Sequence, residues 1–498
     1  MKYAYVIKHL LPLHNRSFSV ILNNNRSFVF FGKLLADQIE FTEGSFMKII
    51  VVGCGKIGSA IIESLSAEGH DVTVIDNQAD AVNEAVDLYD CMGLCGSGTD
   101  CDTLIEAKAA DCELFVAVTG SDEFNMLSCF MAKRLGASHT IARIRNPEYN
   151  DQNLGFIRQQ LGLSMAINPE LLAASAAFNV MKLPSAMNIE TFSRRNLEMI
   201  ELRLREDSPL DGMSLIQMRK QYDAKFLICA VSRGDETYIP GGNFVLKGGD
   251  RIGITASPYE IERLLKMLGL MQKRARTVMI LGASRTSFYL AKMLLNSGNI
   301  VKIIDQSRER CEEFCETLPE AVIVHSNAAL QDVLIEEGLR KTDAFAALTG
   351  IDEENILLSL FASSQNVPKV VSKINQNEFA ALAEKIGIES IVSPKRIIAD
   401  VLVRYARALQ NSLGSKMETL YKIMDGRVEA LEFYIRDACA VTSVPLREMR
   451  LKKNVLIAGI IRGRKSIIPS GDDCIYEGDM VVVLAAGHRI NDISDILR

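Results

Sequence analysis

From residue 47 onwards, short apolar runs alternate with amphipathic segments along the chain. The apolar runs predict strands at 48–52, 72–75, 91–95, 114–118 and 140–144. The segments between them carry apolar positions three and four apart and predict helices near 56–68, 79–87, 100–109 and 124–135. Short strands separated by helices are typical of a parallel sheet covered on both faces. Such a sheet leaves a ligand crevice at the carboxyl ends of its strands.

The pattern changes at about residue 195. Strands such as 226–231 and 250–255 are now joined by glycine-rich turns and by Pro240, which indicates a small α+β lobe over about 195–268. A helix-prone stretch at 169–181 separates the two parts. We expect this stretch to lead the chain from the sheet domain into the lobe.

This arrangement occurs twice. Residues 49–53 (Ile-Ile-Val-Val-Gly) match 278–282 (Val-Met-Ile-Leu-Gly), and the Thr-Gly-x-Asp-Glu-x-Asn motif at 119–125 returns at 349–355. Matches in one order over the whole span indicate duplication of one unit. The expected fold is α/β, with two Rossmann-like parallel-sheet domains, each followed by a small α+β lobe. The predicted domain boundaries are 1–46 (an extension), 47–185, 186–270, 271–415 and 416–498.

Residues 1–46 do not share the pattern of either unit. They contain an asparagine run at 23–25 and short apolar stretches without the small-residue cleavage site of a secretory signal. Two interpretations stay open, namely an extension of unknown role and a start codon assigned too far upstream. The folded part of the chain is expected to begin at Met47.

Composition narrows the class of protein. A hydrophobic fraction of 48% with 24% charged residues is typical of globular protein, and the net charge of −6 argues against a nucleic-acid partner. No stretch reaches the roughly 18–20 apolar residues that a membrane-spanning helix needs. The eleven cysteines are scattered, without zinc-finger spacing, and are interpreted as reduced thiols. We therefore expect no metal site, the alternative being one built from Cys91, Cys95 and Cys101.

A glycine-rich loop follows the first strand and opens the first helix. It consists of Gly53, Cys54, Gly55, Lys56, Ile57 and Gly58. In a dinucleotide-binding fingerprint the first glycine permits the tight turn, the second admits a pyrophosphate and the third lets the helix approach the strand. Asp76 ends the second strand, where a carboxylate accepts from ribose hydroxyls and favours NAD over NADP. The alternative is tight packing without a ligand.

The second unit has a different loop. It reads Gly282, Ala283, Ser284, Arg285, Thr286 and Ser287. Ser284 places a side chain where the backbone would meet a pyrophosphate, although Asp305 is retained and Arg285 would offer a positive charge. Whether a nucleotide occupies this second crevice is left open.

Further residues would face the first crevice if the sheet order is that of a Rossmann domain. Thr119 and Gly120 follow the fourth strand, and Arg143 lies in the fifth. An arginine here would reach a phosphate through a charge-assisted hydrogen bond, or it would form an ordinary salt bridge. Both interpretations stay open.

Catalytic groups are hard to find in this sequence. His70 and His139 are expected in loops facing solvent, and the chain has no nucleophile elbow, phosphate-loop lysine or H-E-x-x-H motif. A dehydrogenase would follow its nucleotide domain with a substantial substrate domain, whereas only a small lobe follows here. Sensing is therefore favoured over turnover, and an NAD-dependent oxidoreductase is the alternative. Steady NADH consumption with a small substrate would identify it.

These residues together resemble a known family. The glycine loop, Asp76, the motif at 119–125 and the Ile-Ala-Arg-Ile-Arg run at 141–145 are similar to the regulator-of-potassium-conductance domain, and the tandem arrangement resembles the regulatory proteins of the Trk potassium-uptake system. The resemblance implies that the first loop, Asp76, Thr119, Gly120 and Arg143 bind NAD, NADH, ATP or ADP. In the second unit it implies the same for residues 282–286, Asp305 and Lys373.

The resemblance also implies partners and a location. It implies a homo-oligomer, a tetramer in the simplest form, lying peripherally on the cytoplasmic face of the plasma (inner) membrane beneath a potassium-translocating membrane subunit. The regulator of some other cation transporter stays as an alternative, because no motif marks the surface that would contact the partner. Residues 1–46 have no counterpart in the resemblance.

Overall fold

A computed structural model describes residues 46–147, 149, 151–183, 185–192, 197–234, 236–271, 275–327, 330–410 and 416–498. The first sheet domain alternates strands and helices in this order: β1 Lys48–Val52, α1 Lys56–Ala67, β2 Asp71–Asp76, α2 Ala79–Leu88, β3 Cys91–Cys95, α3 Cys101–Glu106, β4 Leu114–Ala117, α4 Asp122–Leu135, β5 His139–Arg143, α5 Asp151–Leu161 and β6 Met165–Ile167. In the described part of the chain these strands form one parallel sheet in the order β3-β2-β1-β4-β5-β6. This is the Rossmann order predicted from the sequence.

The predicted strands and helices agree closely with these bounds, with one exception. The helix expected over 100–109 ends at Glu106, and a short 3-10 turn follows at Ala109–Asp111. Lys108 between them adopts a left-handed conformation (φ 57°), which an α-helix cannot continue. The apolar spacing that predicts a helix continues past Lys108, although the backbone there ends the helix. Apolar spacing alone does not reveal such a change of backbone conformation.

The second sheet domain repeats the first. Its elements are β12 Thr277–Leu281, α9 Arg285–Asn296, β13 Ile300–Asp305, α10 Arg308–Thr317, β14 Val322–His325, α11 Gln331–Glu336, β15 Ala344–Ala347, α12 Asp352–Ser364, β16 Lys369–Lys373, α13 Asn377–Lys385 and β17 Ile391–Val392. Among the described residues the strand order is β14-β13-β12-β15-β16-β17, again parallel.

A small lobe follows each sheet domain. The first contains β7 Asn188–Phe192, β8 Leu197–Arg203, α7 Leu215–Gln221, β9 Phe226–Arg233, β10 Glu236–Tyr238, β11 Arg251–Ala256 and α8 Pro258–Met267. The second contains β18 Lys416–Ile423, β19 Val428–Tyr434, β20 Val455–Arg462, β21 Lys465–Ile467 and β22 Met480–Ala485. Both sheets are antiparallel, and their apolar faces pack against each other. The predicted fold class is confirmed.

The repeated Arg-Gly and Gly-Asp pairs of the lobes have a structural explanation. Arg233 donates from Nε and Nη2 to the fully buried carboxylate of Asp250, at 2.7 and 2.8 Å. Arg462 and Asp479 repeat this bidentate pair at 2.8 Å for both bonds. Two parallel charge-assisted bonds fix the turn before the last strand of each lobe, so these motifs are needed for folding.

The helix that follows each sheet domain packs against the sheet domain of the other unit, so the two helices are exchanged between the units. The stretch predicted to lead into the first lobe is α6, Pro169–Lys182, and it packs against β12 and α9 of the second domain. The corresponding helix of the second unit is α14, Pro394–Gln410, and it packs against α1 and β1 of the first domain. Each unit thus completes the hydrophobic core of the other.

An ion-pair cluster reinforces one of these exchanges. Arg407 of α14 is 3% exposed and donates to the carboxylate of Glu68, which follows α1, at 2.7 and 2.8 Å. It also donates to Glu429 of β19 at 2.8 and 2.9 Å. The exchanged helix is thereby fixed to both the first sheet domain and the second lobe. No helix in the described ranges is long and apolar enough to cross a membrane.

Candidate functional site

The first crevice lies where the strand order reverses, between the carboxyl ends of β1 and β4. Gly53 there has φ +103°, and a Cβ on it would lie 3.2 Å from the backbone nitrogen of Thr119. A Cβ on Gly58 would lie 1.8 Å from the carbonyl oxygen of Gly53. Both glycines are therefore required for the tight turn and for the close approach of α1 to β1, as their positions in the fingerprint predict.

Gly55 differs from its two neighbours in the fingerprint. Its backbone is extended (φ −70°, ψ −178°), and among the described residues no heavy atom beyond its chain neighbours and the adjoining helix backbone lies within 4 Å of the position of a Cβ. It is the N-cap of α1, and no side chain caps that helix. The first N–H groups of a helix need acceptors from outside it and carry the positive end of its dipole. Open space in front of uncapped N–H groups is what a phosphate group would fill.

Asp76 ties this loop to the second strand. Its Oδ2 accepts from the backbone nitrogen of Cys54 at 2.7 Å, and its Oδ1 accepts from that of Gln78 at 3.0 Å. An ionised carboxylate has about four acceptor positions, so two stay free. The side chain is half-buried at the edge of the crevice and can still accept from ribose hydroxyls. Lys56 is exposed beside it, and Ile57 is half-buried.

Side chains of the motif at 119–125 join the ends of β4 and β5 through hydrogen bonds. Asn125 is fully buried, and its Oδ1 accepts from Thr119 N and Oγ1 at 2.8 and 2.7 Å. Its Nδ2 donates to the carbonyl oxygens of Thr119 and Arg143 at 3.3 and 3.0 Å. Asp122 accepts from the backbone nitrogens of residues 145 and 146. Gly120 lies at the exposed tip, with free space at its Cβ position.

Asp122 and Asn125 are absent from the predicted site residues, although both hold the crevice in shape. The signal that marks them is the repeat, because Asn355 and Asp352 make the same bonds in the second unit. A polar residue retained in both copies at a sheet edge indicates a shared structural requirement.

Arg143 forms the salt bridge that was one of its two interpretations. Its Nη2 lies 3.2 Å from Oε1 of Glu170, near the start of α6. Burial lowers the pKa of Arg143, against the opposing effect of Glu170. Its Nε and the Oε2 of Glu170 are buried without a hydrogen-bond partner among the described residues. The pair is incompletely satisfied, so a role of Arg143 toward a phosphate stays a prediction.

In the second crevice, side chains of the loop itself occupy the start of the helix, which in the first crevice has no side-chain cap. Ser284 caps α9 by accepting from the backbone nitrogen of Ser287 at 3.3 Å. The hydroxyl of Ser287, at the position of the third fingerprint glycine, donates to the carbonyl of Gly282 at 2.5 Å. Asp305 accepts from Ala283 N at 2.6 Å and is only 7% exposed. The side chains of this loop thus occupy the end of the helix.

The other residues predicted for the second crevice are less accessible than expected. Thr286 is 1% exposed, and Arg285 is the exposed residue of the loop. Lys373 is 9% exposed and donates from Nζ to the carbonyl oxygen of Leu348 at 3.2 Å. Burial lowers the pKa of Lys373, which the carboxylates of Asp352 and Glu170 partly offset. Lys373 is therefore engaged inside the domain.

The expectation that both histidines lie in loops facing solvent was wrong in part, because His70 lies in a loop but is buried, and His139 belongs to a strand. His70 is 5% exposed, and neither ring nitrogen has a partner in the described part of the chain. Burial is the main cause that lowers its pKa, and Arg489 adds to it. His139 begins β5 and packs edge-on against Tyr405 of the exchanged helix α14, with ring centroids 6.2 Å apart. Both positions were judged from local pattern, whereas the second unit covers them.

The cysteines differ widely in exposure, and Cys54 of the glycine loop is among the buried ones. No group of three or more His, Cys, Asp or Glu side chains in the described residues could hold a metal ion. Burial raises the pKa of the Cys54 thiol to about 12, with a smaller contribution from Asp76. A raised pKa favours the protonated thiol, which is the less nucleophilic form.

The fold and the crevice define a class of protein, namely tandem Rossmann-type domains with lobes. The TrkA-N domain matches residues 49–169 and 278–394, and the TrkA-C domain matches 199–269 and 431–498. A Trk system potassium uptake protein TrkA homolog from Archaeoglobus fulgidus is 32% identical over 452 residues, covering 91% of this chain and all of the homolog. TrkA of Haemophilus influenzae is 28% identical over 445 residues, covering 88% and 95% of the two chains.

The chain therefore belongs to the family of Trk system potassium uptake proteins TrkA. These two relatives are potassium uptake proteins of the Trk system. The GsuK channel has the same fold, with a TM-score of 0.60 at 17% identity over 93% of this chain and 82% of the channel chain. The GsuK channel bound to NAD gives 0.58 at 16% identity over the same shares.

Proposed function

We propose that this chain is a peripheral cytoplasmic regulatory subunit of a potassium uptake system that senses NAD(H), or another adenine nucleotide, in its first crevice. The observation that carries the proposal is the uncapped start of α1, with open space at Gly55 and acceptor positions left on Asp76. Family membership supports the role in potassium transport. The NAD-bound GsuK channel is a parallel on the same fold.

In this proposal the nucleotide phosphates lie against the N–H groups that open α1, and the ribose hydroxyls donate to Asp76. Ligand binding shifts a conformational equilibrium only if the two states bind the ligand differently. The exchanged helices join the crevices to the lobes, so movement of the crevice walls tilts the lobes. A homo-oligomeric ring, a tetramer with eight Rossmann-type domains, would transmit these tilts to a potassium-translocating membrane subunit. Coupling of about 1–3 kcal/mol is typical of such linkage.

Calorimetry with the full chain tests the binding step. Gly55→Val fills the open space in an extended backbone that valine adopts readily, so nucleotide binding should be lost while thermal stability is kept. Asp76→Ala should weaken binding by about 1.5–3 kcal/mol, on the order of tenfold to a hundredfold. Asp305→Ala is the matched control, because Asp305 makes the same loop bonds in the second unit. A larger loss for Asp305→Ala than for Asp76→Ala would show that the second crevice is the main site.

Potassium flux tests the regulatory step. The chain and its membrane partner are reconstituted together, and NADH, NAD, ATP and ADP are added separately. At least one nucleotide should change the flux, and the partner should change nucleotide affinity by the factor by which nucleotide changes partner affinity. If binding is demonstrated and all four nucleotides leave the flux unchanged, the sensor function is wrong and a structural role replaces it.

A further inference from the structure

A buried lysine lies where the second sheet domain meets the first lobe. Lys369, the first residue of β16, is 4% exposed, and its Nζ donates to the carbonyl oxygen of Ala186 at 2.6 Å. Burial lowers its pKa to about 8, with Glu389 as the opposing charge. Ser390 makes a second link by donating to the carbonyl oxygen of Met187 at 3.4 Å. An ammonium group is thus held at a junction between two parts of the molecule.

A cavity of about 310 Å³ lies beside this lysine, with walls from both parts. The second sheet domain supplies Lys369 and Glu389, and the first lobe supplies Arg203 and Arg205. The cavity is also lined by hydroxyl groups, from Ser185, Ser363 and Ser390. Its size is at the lower end of the range for small-molecule pockets, roughly 300–1,000 Å³.

Arg203 and Arg205 reach the same cavity because alternate side chains of an extended segment point to the same side. Leu202 and Leu204 are each 2% exposed, and the alternate residues Arg203 and Arg205 are exposed on the opposite side. Within the described ranges neither arginine lies at ion-pair distance from a carboxylate. The cavity therefore has three cationic side chains against one carboxylate. Arginine and lysine groups in a partly buried setting attract phosphate and carboxylate groups.

The first unit shows that packing alone does not require this lysine. The corresponding residue of β5 is His139, whose ring packs against Tyr405 of the exchanged helix. Both side chains occupy the start of the fifth strand in a parallel sheet of the same order. The buried ammonium belongs to the second unit alone and coincides there with the cavity.

We propose that this cavity binds a small multivalent oxyanion, carrying phosphate or carboxylate groups, between the second sheet domain and the first lobe. Lys369 contacts the anion from the buried side, and Arg203 and Arg205 contact it from the open side. Because its walls belong to two parts of the chain, a bound anion stabilises the arrangement in which these parts are apposed. The site goes beyond nucleotide sensing and does not depend on it.

Isothermal titration calorimetry of the full chain tests the proposal. Inorganic phosphate and citrate are the separate probes, and the ionic strength is held constant with a chloride salt. At least one probe should bind saturably, and Lys369→Met and Arg203→Ser/Arg205→Ser should each weaken that binding at least tenfold. The double variant keeps the bond from Lys369 to Ala186, so it should retain the thermal stability of the wild type. Binding of phosphate alone or of citrate alone identifies the group that is recognised.

Two controls separate this site from other effects. Lys341→Met removes an exposed lysine of the same domain and should leave anion binding unchanged. Asp76→Ala alters the nucleotide crevice and should also leave it unchanged, so failure of the nucleotide proposal is distinguishable from failure of this one. Because the ammonium form binds, affinity for the fully ionised form of the probe should fall as the pH rises above the lowered pKa of Lys369, about 8, and Lys369→Met should abolish this fall. Absence of saturable binding of both probes, or unaltered binding in both cavity variants, would overturn the proposal.

Discussion

Replacing Arg407 with methionine should destabilise the chain strongly. The substitution keeps most of the side-chain volume but leaves two carboxylates, of Glu68 and Glu429, without the cation that makes four hydrogen bonds to them. The carboxylate of Glu68 is 9% exposed and that of Glu429 is 17% exposed. Removing one partner of a buried ion pair costs about 3–5 kcal/mol, because the remaining charge stays desolvated. We expect the free energy of unfolding to fall by about that amount at pH 7.

The pH dependence gives a sharper test of the cause. In the wild-type chain burial raises the pKa of Glu68, but the opposing effect of Arg407, with smaller contributions from Arg489 and Lys422, brings it below its ordinary value of 4.5. The resulting stability is present above that value and is lost as the pH falls through the lowered pKa. Without Arg407, only the more distant Arg489 and Lys422 oppose the effect of burial, so the pKa of Glu68 should rise and protonation should relieve the buried charge. The loss of stability should therefore be smaller at pH 5 than at pH 7.

Urea denaturation at both pH values measures these differences. Arg308→Met is the matched control, because Arg308 pairs with Glu312 on an exposed helix face and should contribute about 0.3–0.5 kcal/mol. Adding Glu68→Gln and Glu429→Gln to Arg407→Met removes both carboxylates that lost the hydrogen bonds of Arg407 and should restore part of the stability, although Glu68→Gln also removes the partner of Arg489 and Lys422. Equal losses for Arg407→Met and Arg308→Met, or an equal loss for Arg407→Met at pH 5 and pH 7, would refute the reasoning.

Three further outcomes are expected. Gly58→Ala places a methyl group 1.8 Å from the carbonyl oxygen of Gly53, so thermal stability and nucleotide affinity should fall together, and an unchanged melting temperature would contradict this reading. Asn125→Ala leaves buried backbone groups of the crevice unpaired at about 1–3 kcal/mol each, measured by urea denaturation. Deleting residues 1–46 should leave thermal stability and nucleotide binding intact, and a large loss of either would show that the extension packs on the folded core.

Local pattern was enough to predict most of the sheet domains. Strands such as β1 and β3 are short apolar or β-prone runs bounded by turns, and their limits follow from the residues themselves. The glycine loop was equally readable, because Gly53 and Gly58 are required by contacts within about 70 residues of chain. Features that depend on residues nearby in sequence, or on neighbouring strands, can therefore be predicted from the sequence pattern.

What the pattern could not predict depends on contacts between the two units. The apolar face of α6 predicts burial but does not identify the sheet that it covers. His70 was expected to face solvent, yet it is buried, and its charged neighbours include Arg489 and Arg407 of the second unit. The capping of α9 by Ser284 could be suspected from the missing glycines, but the bond of Ser287 to the Gly282 carbonyl required coordinates. Long-range packing decided each of these cases.

The exchanged helices make this chain equivalent to a dimer joined into one polypeptide. A chain carrying a single unit would leave its own core uncovered, and only two such chains together would restore both cores. Joining them raises the effective concentration of each half to the millimolar range, so the pairing no longer depends on protein concentration. The two halves of one chain also need not have the same sequence. One loop can retain Gly55 while the other carries Ser284, and Lys369 can stand where the first half has His139, so the two halves keep one fold while their corresponding positions differ in chemistry.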